Sequence, residues 1–158
     1  MLRIRRATMD DAELLSHLVK PVHDIHVAAY PTIFKPHAVT PEWIADFRDR
    51  LLDDSVYVFI GEVDGEPIGY VLAEVSTRED DAYSYARQTM LIDQMSVNPE
   101  RRSQGYGEAL MGAVFDLARS LGIGRVVLTV WAFNERAIDF YERQGFKPRD
   151  ICMEAILE

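Results

Sequence analysis

An α/β or α+β sandwich is the fold class this sequence predicts, and three observations predict it. Short segments that alternate or cluster apolar residues recur along the chain, amphipathic helical stretches lie between them, and the second half runs strand–helix–strand–helix. The strand segments exclude a helical bundle. The 158 residues fit one domain, 1–158, since no repeat, low-complexity tract or linker marks a boundary.

Leu2–Arg6 alternates apolar and charged residues, as a short strand does. Thr8 is placed as a helix N-cap, with Asp10 and Asp11 in the first turn where the helix dipole favours acids. Leu14, Leu15, Leu18, Val22 and Ile25 form one helical stripe, which Pro21 should kink or split. Tyr30–Pro36 is a proline-punctuated loop bearing aromatics. Thr40 caps a second helix from Pro41 to about Leu52.

Val56–Ile60 and Pro67–Val75 are expected strands, joined by a hairpin at Asp64-Gly65. An acidic stretch, Ser76–Ala86, leads to a strand over Met90–Val97. A long helix is expected from about Gly105 to Ser120, ending near Gly122. Strand Arg125–Trp131, helix Asn134–Gln144 with its stop at Gly145, and a last strand region over Phe146–Leu157 complete the chain.

Composition narrows the function. Hydrophobic residues at 48% and charged residues at 27% argue against disorder. The net charge of −9 disfavours a nucleic-acid partner, which would require clustered Lys and Arg. That charge suits a cationic acceptor, or serves solubility alone. No apolar run approaches the roughly 18 residues of a membrane span, and none follows the basic N-terminus as a secretory signal would require. The expected compartment is the cytoplasm, with no membrane partner. Cys152, the single cysteine, allows no internal disulfide and is expected as a small buried core residue. The four histidines lack metal-ligand spacing, so no metal is expected.

The segment Leu91–Glu108 is the most informative. A strand ends near Val97, Asn98-Pro99 turns the chain, and a basic loop with glycines runs into a helix. Main-chain N–H groups opening a helix have no internal partners and face the positive end of its dipole. With Arg101 and Arg102 beside them, the segment is a phosphate cradle or a glycine-softened turn without a ligand. A Walker loop is excluded by the absence of Gly-Lys-Ser/Thr. A dinucleotide fingerprint is excluded by Leu110 at its third small position. In the second informative segment, Asn134 is a natural N-cap. Ala137, Ile138 and Tyr141 share one helical face, so the Tyr141 hydroxyl is either a proton donor or the tip of a core aromatic.

Together these segments resemble the GNAT N-acetyltransferases. The family's coenzyme A signature, Arg/Gln-x-x-Gly-x-Gly/Ala, is met by Arg102-Ser103-Gln104-Gly105-Tyr106-Gly107. Its second signature is met by Asn134, Ala137, Phe140, Tyr141, Gly145 and Phe146. The resemblance covers roughly residues 55–158. It implies a mixed, mostly antiparallel sheet of six to seven strands flanked by about four helices, with two splayed central parallel strands. It further implies acetyl-CoA as cosubstrate, a primary amine of a small molecule, peptide or protein as acceptor, and a possible homodimer.

By the same resemblance, backbone groups of Met95, Ser96 and Val97 hold the pantetheine arm with Asn134, and an amide near Met95 polarises the thioester. Ser103, Gln104, Gly105, Tyr106, Gly107 and Glu108 hold the pyrophosphate, with Arg102 beside them. Tyr141 protonates the leaving thiolate during direct attack, without an acyl-enzyme. Some relatives, the ribosomal-protein N-acetyltransferases, carry a glutamate base where this chain has Thr129. Asp93, Glu74 or a water chain are the alternatives for that base, and Asp93 is equally suited to a solvated outward position. The acceptor pocket is expected to draw on Tyr30–Phe34 and on the loop carrying Glu79, Asp80 and Asp81. Two further readings remain at this point: a non-catalytic acyl-CoA sensor, and an acyltransferase for longer chains.

Overall fold

Five strands form one sheet in the order β1-β2-β3-β4-β5 in the computed structural model, which describes residues 1–157. The strands are β1 (Leu2–Arg6), β2 (Val56–Val63), β3 (Glu66–Arg78), β4 (Arg87–Val97) and β5 (Val126–Leu128). The helices are α1 (Ala12–Leu18), α2 (Lys20–Ala29), α3 (Pro41–Leu52), α4 (Tyr106–Ser120) and α5 (Glu135–Arg143). Neighbouring strands pair antiparallel except β4 and β5, which run parallel.

The mixed fold and the parallel pair match expectation, but the sheet has five strands rather than six or seven, and with no strand beyond β5 the parallel pair lies at one end of the sheet rather than at its centre. The helices number five because the first breaks at Val19, between α1 and α2. Pro21 sits at the start of α2, where its missing N–H costs nothing, whereas in one continuous helix it would forfeit a bond.

Strand β3 is buried throughout its centre, from Ile68 to Ala73, because both faces of the sheet are covered. Tyr70 and Leu72 join Val58, Ile60, Leu15 and Phe47 in a core under α1 and α3. Val71 and Ala73 point the other way, with Met90, Ile92, Leu110 and Val114, into a core under α4. This is the period-two alternation of a strand realised between two helical layers. Thr40 accepts a hydrogen bond from the Trp43 amide at 3.4 Å and starts α3 where expected. The hairpin turn falls at Asp64-Gly65, both with positive φ.

The chain end departs from expectation. Phe146–Leu157 forms no strand, and Ile151, Met153, Ile156 and Leu157 are exposed. A strand requires a hydrogen-bonded partner as well as apolar residues, and β5, only three residues long, offers little edge to pair with. Cys152 lies on this segment and is exposed, not part of a core.

The entry to α1 is tied down by charge. Arg5 from β1 grips Asp11 through two hydrogen bonds, of 2.8 and 2.7 Å, and reaches Glu62 on β2 at 2.6 Å. The same Asp11 carboxylate accepts from the Thr8 amide at 2.7 Å. The Arg5 hydrogen bond, aided by Thr8 and opposed by burial, lowers the Asp11 pKa from 3.8 to about 2. The group is depressed in the folded state, so its stabilisation is present above pH 4 and is lost as pH falls toward 2. Asp11→Asn should therefore lower unfolding free energy at pH 7 by about 2 kcal/mol. It should also flatten the acid limb of stability, as measured by urea denaturation across pH.

Candidate active site

One residue of β4 creates the cleft. Leu72 of β3 pairs with Gln94 while Ala73 pairs with Ile92, so Asp93 is an extra, unpaired residue, a β-bulge. A bulge bends its strand and increases its twist. On the other edge of β4, pairing with β5 covers Met90↔Val126, Leu91↔Val127 and Ile92↔Leu128 and stops there, one residue before the bulge. Beyond that point β4 continues as Asp93–Val97 with no strand on its β5 side, and β5 itself ends at Leu128. The expected splay of the two parallel strands is present.

A cleft of about 490 Å³ occupies the gap. Its middle is lined by Met95, Ser96 and Val97 on one side and Thr129 and Val130 on the other. Ser96 is buried, and its hydroxyl has no hydrogen-bond partner among the described residues. A buried orphan hydroxyl costs about 1–3 kcal/mol, a cost that a polar group in the cleft would offset.

At one end lie Arg102, Ser103, Gly105, Gly107 and Glu108, facing Asn134, Arg136 and Tyr141 from the α5 side. Gln104 and Tyr106 belong to the same loop and helix start but do not line the cleft. The turn holds two left-handed residues, Ser103 at φ 60° and Gly105 at φ 82°. For serine this conformation is strained, and strain of this kind clusters at functional sites. None of the backbone N–H groups from Ser103 to Glu108 bonds to a described residue; the first bond of the helix opening is Ala109 to the Gly105 carbonyl.

The two glycines of the motif have different physical reasons. A Cβ on Gly105 would meet nothing within 4 Å, so its side-chain direction is open space and its φ is the constraint. A Cβ on Gly107 would sit 3.2 Å from Phe140, so there the constraint is close packing of α4 on α5.

The same end is cationic. Arg101 is paired with Glu66 at 2.8 Å, but no carboxylate among the described residues pairs with Arg102, Arg136 or Arg143. Burial lowers the Arg102 pKa, and the like charge of Arg136 adds to the effect. An anion between the two would relieve that repulsion. Arg102 is held in place by donating to the Val97 carbonyl at 3.0 Å.

Asn134 caps α5, its side-chain oxygen accepting from the Ala137 amide at 3.2 Å. Tyr141 stands on the cleft-facing side of α5, its ring edge-on to Phe140 and Phe146. Burial raises its pKa above the ordinary 10.0, so the hydroxyl stays protonated.

The other end of the cleft was only partly foreseen. Asp93 lines it, half-exposed, with Oδ2 accepting from Arg50 of α3 at 2.5 Å. Burial works against the Arg50 charge, but the bond to Asp93 and the nearby Asp46 outweigh it and raise its pKa. Phe34 is present as expected, joined by His23, His26 and Trp131. No sequence signal singled out the histidines or Trp131, because their meeting depends on α2 crossing the end of β4. Glu74 pairs across to Val56 and Leu91 and does not line the cleft. The acidic loop is also elsewhere: Asp81 is occupied by Arg78 and the amides of Tyr83 and Ser84. Among the described residues no cluster of His, Cys, Asp or Glu has the makings of a metal site, and no helix is long and apolar enough to cross a membrane.

The family model described as the acetyltransferase (GNAT) family matches residues 19–146, which contain the bulge, the helix opening and α5. The chain belongs to the GNAT family. Among its GNAT relatives is an uncharacterized N-acetyltransferase of Methanocaldococcus jannaschii, 28% identical over 152 residues, covering 94% of this chain and 62% of the relative. Streptothricin acetyltransferase of Streptomyces lavendulae is 36% identical over 94 residues, covering 60% of this chain and 45% of that enzyme. The chain thus spans less than two thirds of the length of these relatives. Among solved GNAT-like structures, a tetramutant of the BH1408 protein from Bacillus halodurans superposes with a TM-score of 0.89 at 25% identity, covering 98% of this chain and 99% of that one. The aminoglycoside acetyltransferase AAC(6')-Iy in complex with CoA shares the fold, with a TM-score of 0.76 at 18% identity over 99% of this chain and 95% of that one.

Asn134 has a structural duty beyond any ligand contact. Asn134→Ala should cost about 1 kcal/mol of stability through loss of the α5 cap, read as a lower urea midpoint with an unchanged m-value.

Proposed function

We propose that this protein is an acetyl-CoA-dependent N-acetyltransferase that moves the acetyl group to a primary amine by direct attack. The observation that carries the reading is the unbroken row of unpaired N–H groups opening α4, placed at the mouth of the gap where β4 and β5 part. A diphosphate fits that row in charge and in donor count, with Arg102 and Arg136 on its flanks. The pantetheine arm, itself a chain of amides, fits the strand-like backbone of Met95–Val97, whose β5 side is open.

Bound acetyl-CoA supplies an acyl carbon activated as a thioester. The residues of the chain then divide the remaining work. Gly105, Gly107 and their neighbours anchor the donor, while Ser96 and Asn134 flank its arm. The backbone amide at Met95 donates toward the carbonyl oxygen, where negative charge develops; such a donor contributes roughly 3–4 kcal/mol in other acyl-transfer enzymes. Asp93 receives the acceptor ammonium through Oδ1, the oxygen that Arg50 leaves free, and the nitrogen loses its first proton to solvent so that it attacks as a neutral amine.

As the nitrogen–carbon bond forms and the carbon–sulfur bond breaks, Asp93 takes the proton lost by the nitrogen. Tyr141 gives its proton to the departing sulfur, and solvent restores both groups. Cys152 is exposed on the chain end and does not line the cleft, which favours direct attack over an acyl-enzyme.

Three measurements test the reading. Gly105→Val should weaken coenzyme A binding at least tenfold by calorimetry, because a branched side chain enters the open space before the cradle and opposes the positive φ. An unchanged affinity would overturn the cradle. Tyr141→Phe should lower kcat about 10²–10⁴-fold with the coenzyme A Kd preserved. Binding with no thiol release across an amine panel would instead mark a sensor. Because burial raises the tyrosine's pKa, any alkaline loss of wild-type kcat through this group should have its midpoint above the 10.0 of an ordinary tyrosine.

A further inference from the structure

The end of the cleft away from the phosphate cradle is walled by aromatic rings contributed by three separate segments. Trp131, just after β5, lies 5.5 Å from Phe34 and 6.2 Å from His26 between ring centroids. Tyr30 and Phe133 pack behind Trp131 at 4.8 and 6.2 Å. Spacings this short mean that the rings pack against one another as a wall, leaving their cleft-facing sides for a ligand. Val19, at the break before α2, and Val22 and Ile25 of α2 extend the apolar lining.

The polar inventory at this end is short. Arg50 is shared between Asp93 and Asp46, so the group carries one net negative charge and leaves one Asp93 carboxylate oxygen without a partner. The histidines are partly committed. His26 Nδ1 lies 2.7 Å from the Val22 carbonyl, and His23 Nε2 lies 2.7 Å from the Lys35 carbonyl. The acidic loop that suits a polycation is not part of the cleft.

An acceptor with several ammonium groups would leave most of them unpaired against rings, and a polyhydroxylated one would bury hydroxyls without partners. Both are costly. A single ammonium on an apolar body matches what is present: one free carboxylate oxygen for the nitrogen, and ring faces for the carbon skeleton.

We propose that the acceptor is a primary monoamine carried on an aromatic or otherwise apolar skeleton, seated against the Phe34–Trp131 wall with its nitrogen at Asp93. The inference rests on the acetyl-transfer reading above, and it adds the acceptor class.

The experiment measures coenzyme A binding by calorimetry and thiol release from acetyl-CoA with 2-phenylethylamine, ethanolamine, glucosamine and spermidine at one pH. The expected kcat/KM for 2-phenylethylamine exceeds each of the others by at least about tenfold, since even one methylene in an apolar pocket discriminates about 10–200-fold. Trp131→Ala should raise the KM for 2-phenylethylamine at least about tenfold while the coenzyme A Kd stays within about twofold. Where that variant fails to fold, Phe34→Leu, which keeps apolar volume but removes a ring, should raise the same KM.

Equal or better turnover of spermidine or glucosamine overturns the acceptor class and leaves acetyl transfer standing. Coenzyme A binding without thiol release for any amine overturns both. A Trp131 variant with normal KM removes the wall from the acceptor site.

Discussion

The bulge at Asp93 is the constraint on which the rest of the site depends. A regular β4 would keep its hydrogen-bonding direction toward β5 and continue the parallel ladder past Ile92. The extra residue breaks that register, the strands part, and a row of main-chain groups is left facing a cleft rather than a neighbour. The core absorbs the break because β3 is buried on both faces and pairs β4 on either side of it, from Gly69 to Arg78. Asp93 is thereby turned out to meet Arg50, which ties the bulge to α3.

Two sets of unsatisfied groups converge on that gap from different causes. The amides from Ser103 to Glu108 are unpaired because a helix start has no preceding turn to bond to, and two left-handed residues point the loop outward. The Ser96 hydroxyl is buried on the strand that lines the gap and has no partner among the described residues. Arg102 and Arg136 add like charges that repel across the same space. Each is unfavourable in isolation, and together they leave one end of the cleft lined with unpaired donors and positive charge.

The opposite end follows other physics. There the rings of α2, the loop after it and the turn after β5 satisfy one another by packing, and Arg50, shared between Asp46 and Asp93, leaves a single net negative charge. The cleft therefore changes character along its length, from donors and cations to apolar faces. That gradient sets the direction in which a donor and an acceptor would approach each other.

Local chemistry is what the sequence determined. Caps at Thr40 and Asn134, the helix break just before Pro21, the hairpin at Asp64-Gly65 and the glycine-bearing start of α4 all follow from neighbours within a few residues, and all are present. The row of unpaired amides opening α4 was legible for the same reason, since they are consecutive in the chain. What the tertiary structure alone decided depends on distant partners. The bulge leaves no mark in the residue pattern of β4, because it exists only relative to β3. Phe146–Leu157 has strand-like apolar residues but no partner, so it forms no strand and leaves Cys152 exposed. Asp93 was a candidate from its place on the strand, but its ion pair with a residue 43 positions away was not readable. Nor was the meeting of Phe34, His26 and Trp131, which hydrophobic periodicity assigns to separate elements and only the packing of α2 across the parted strands brings together.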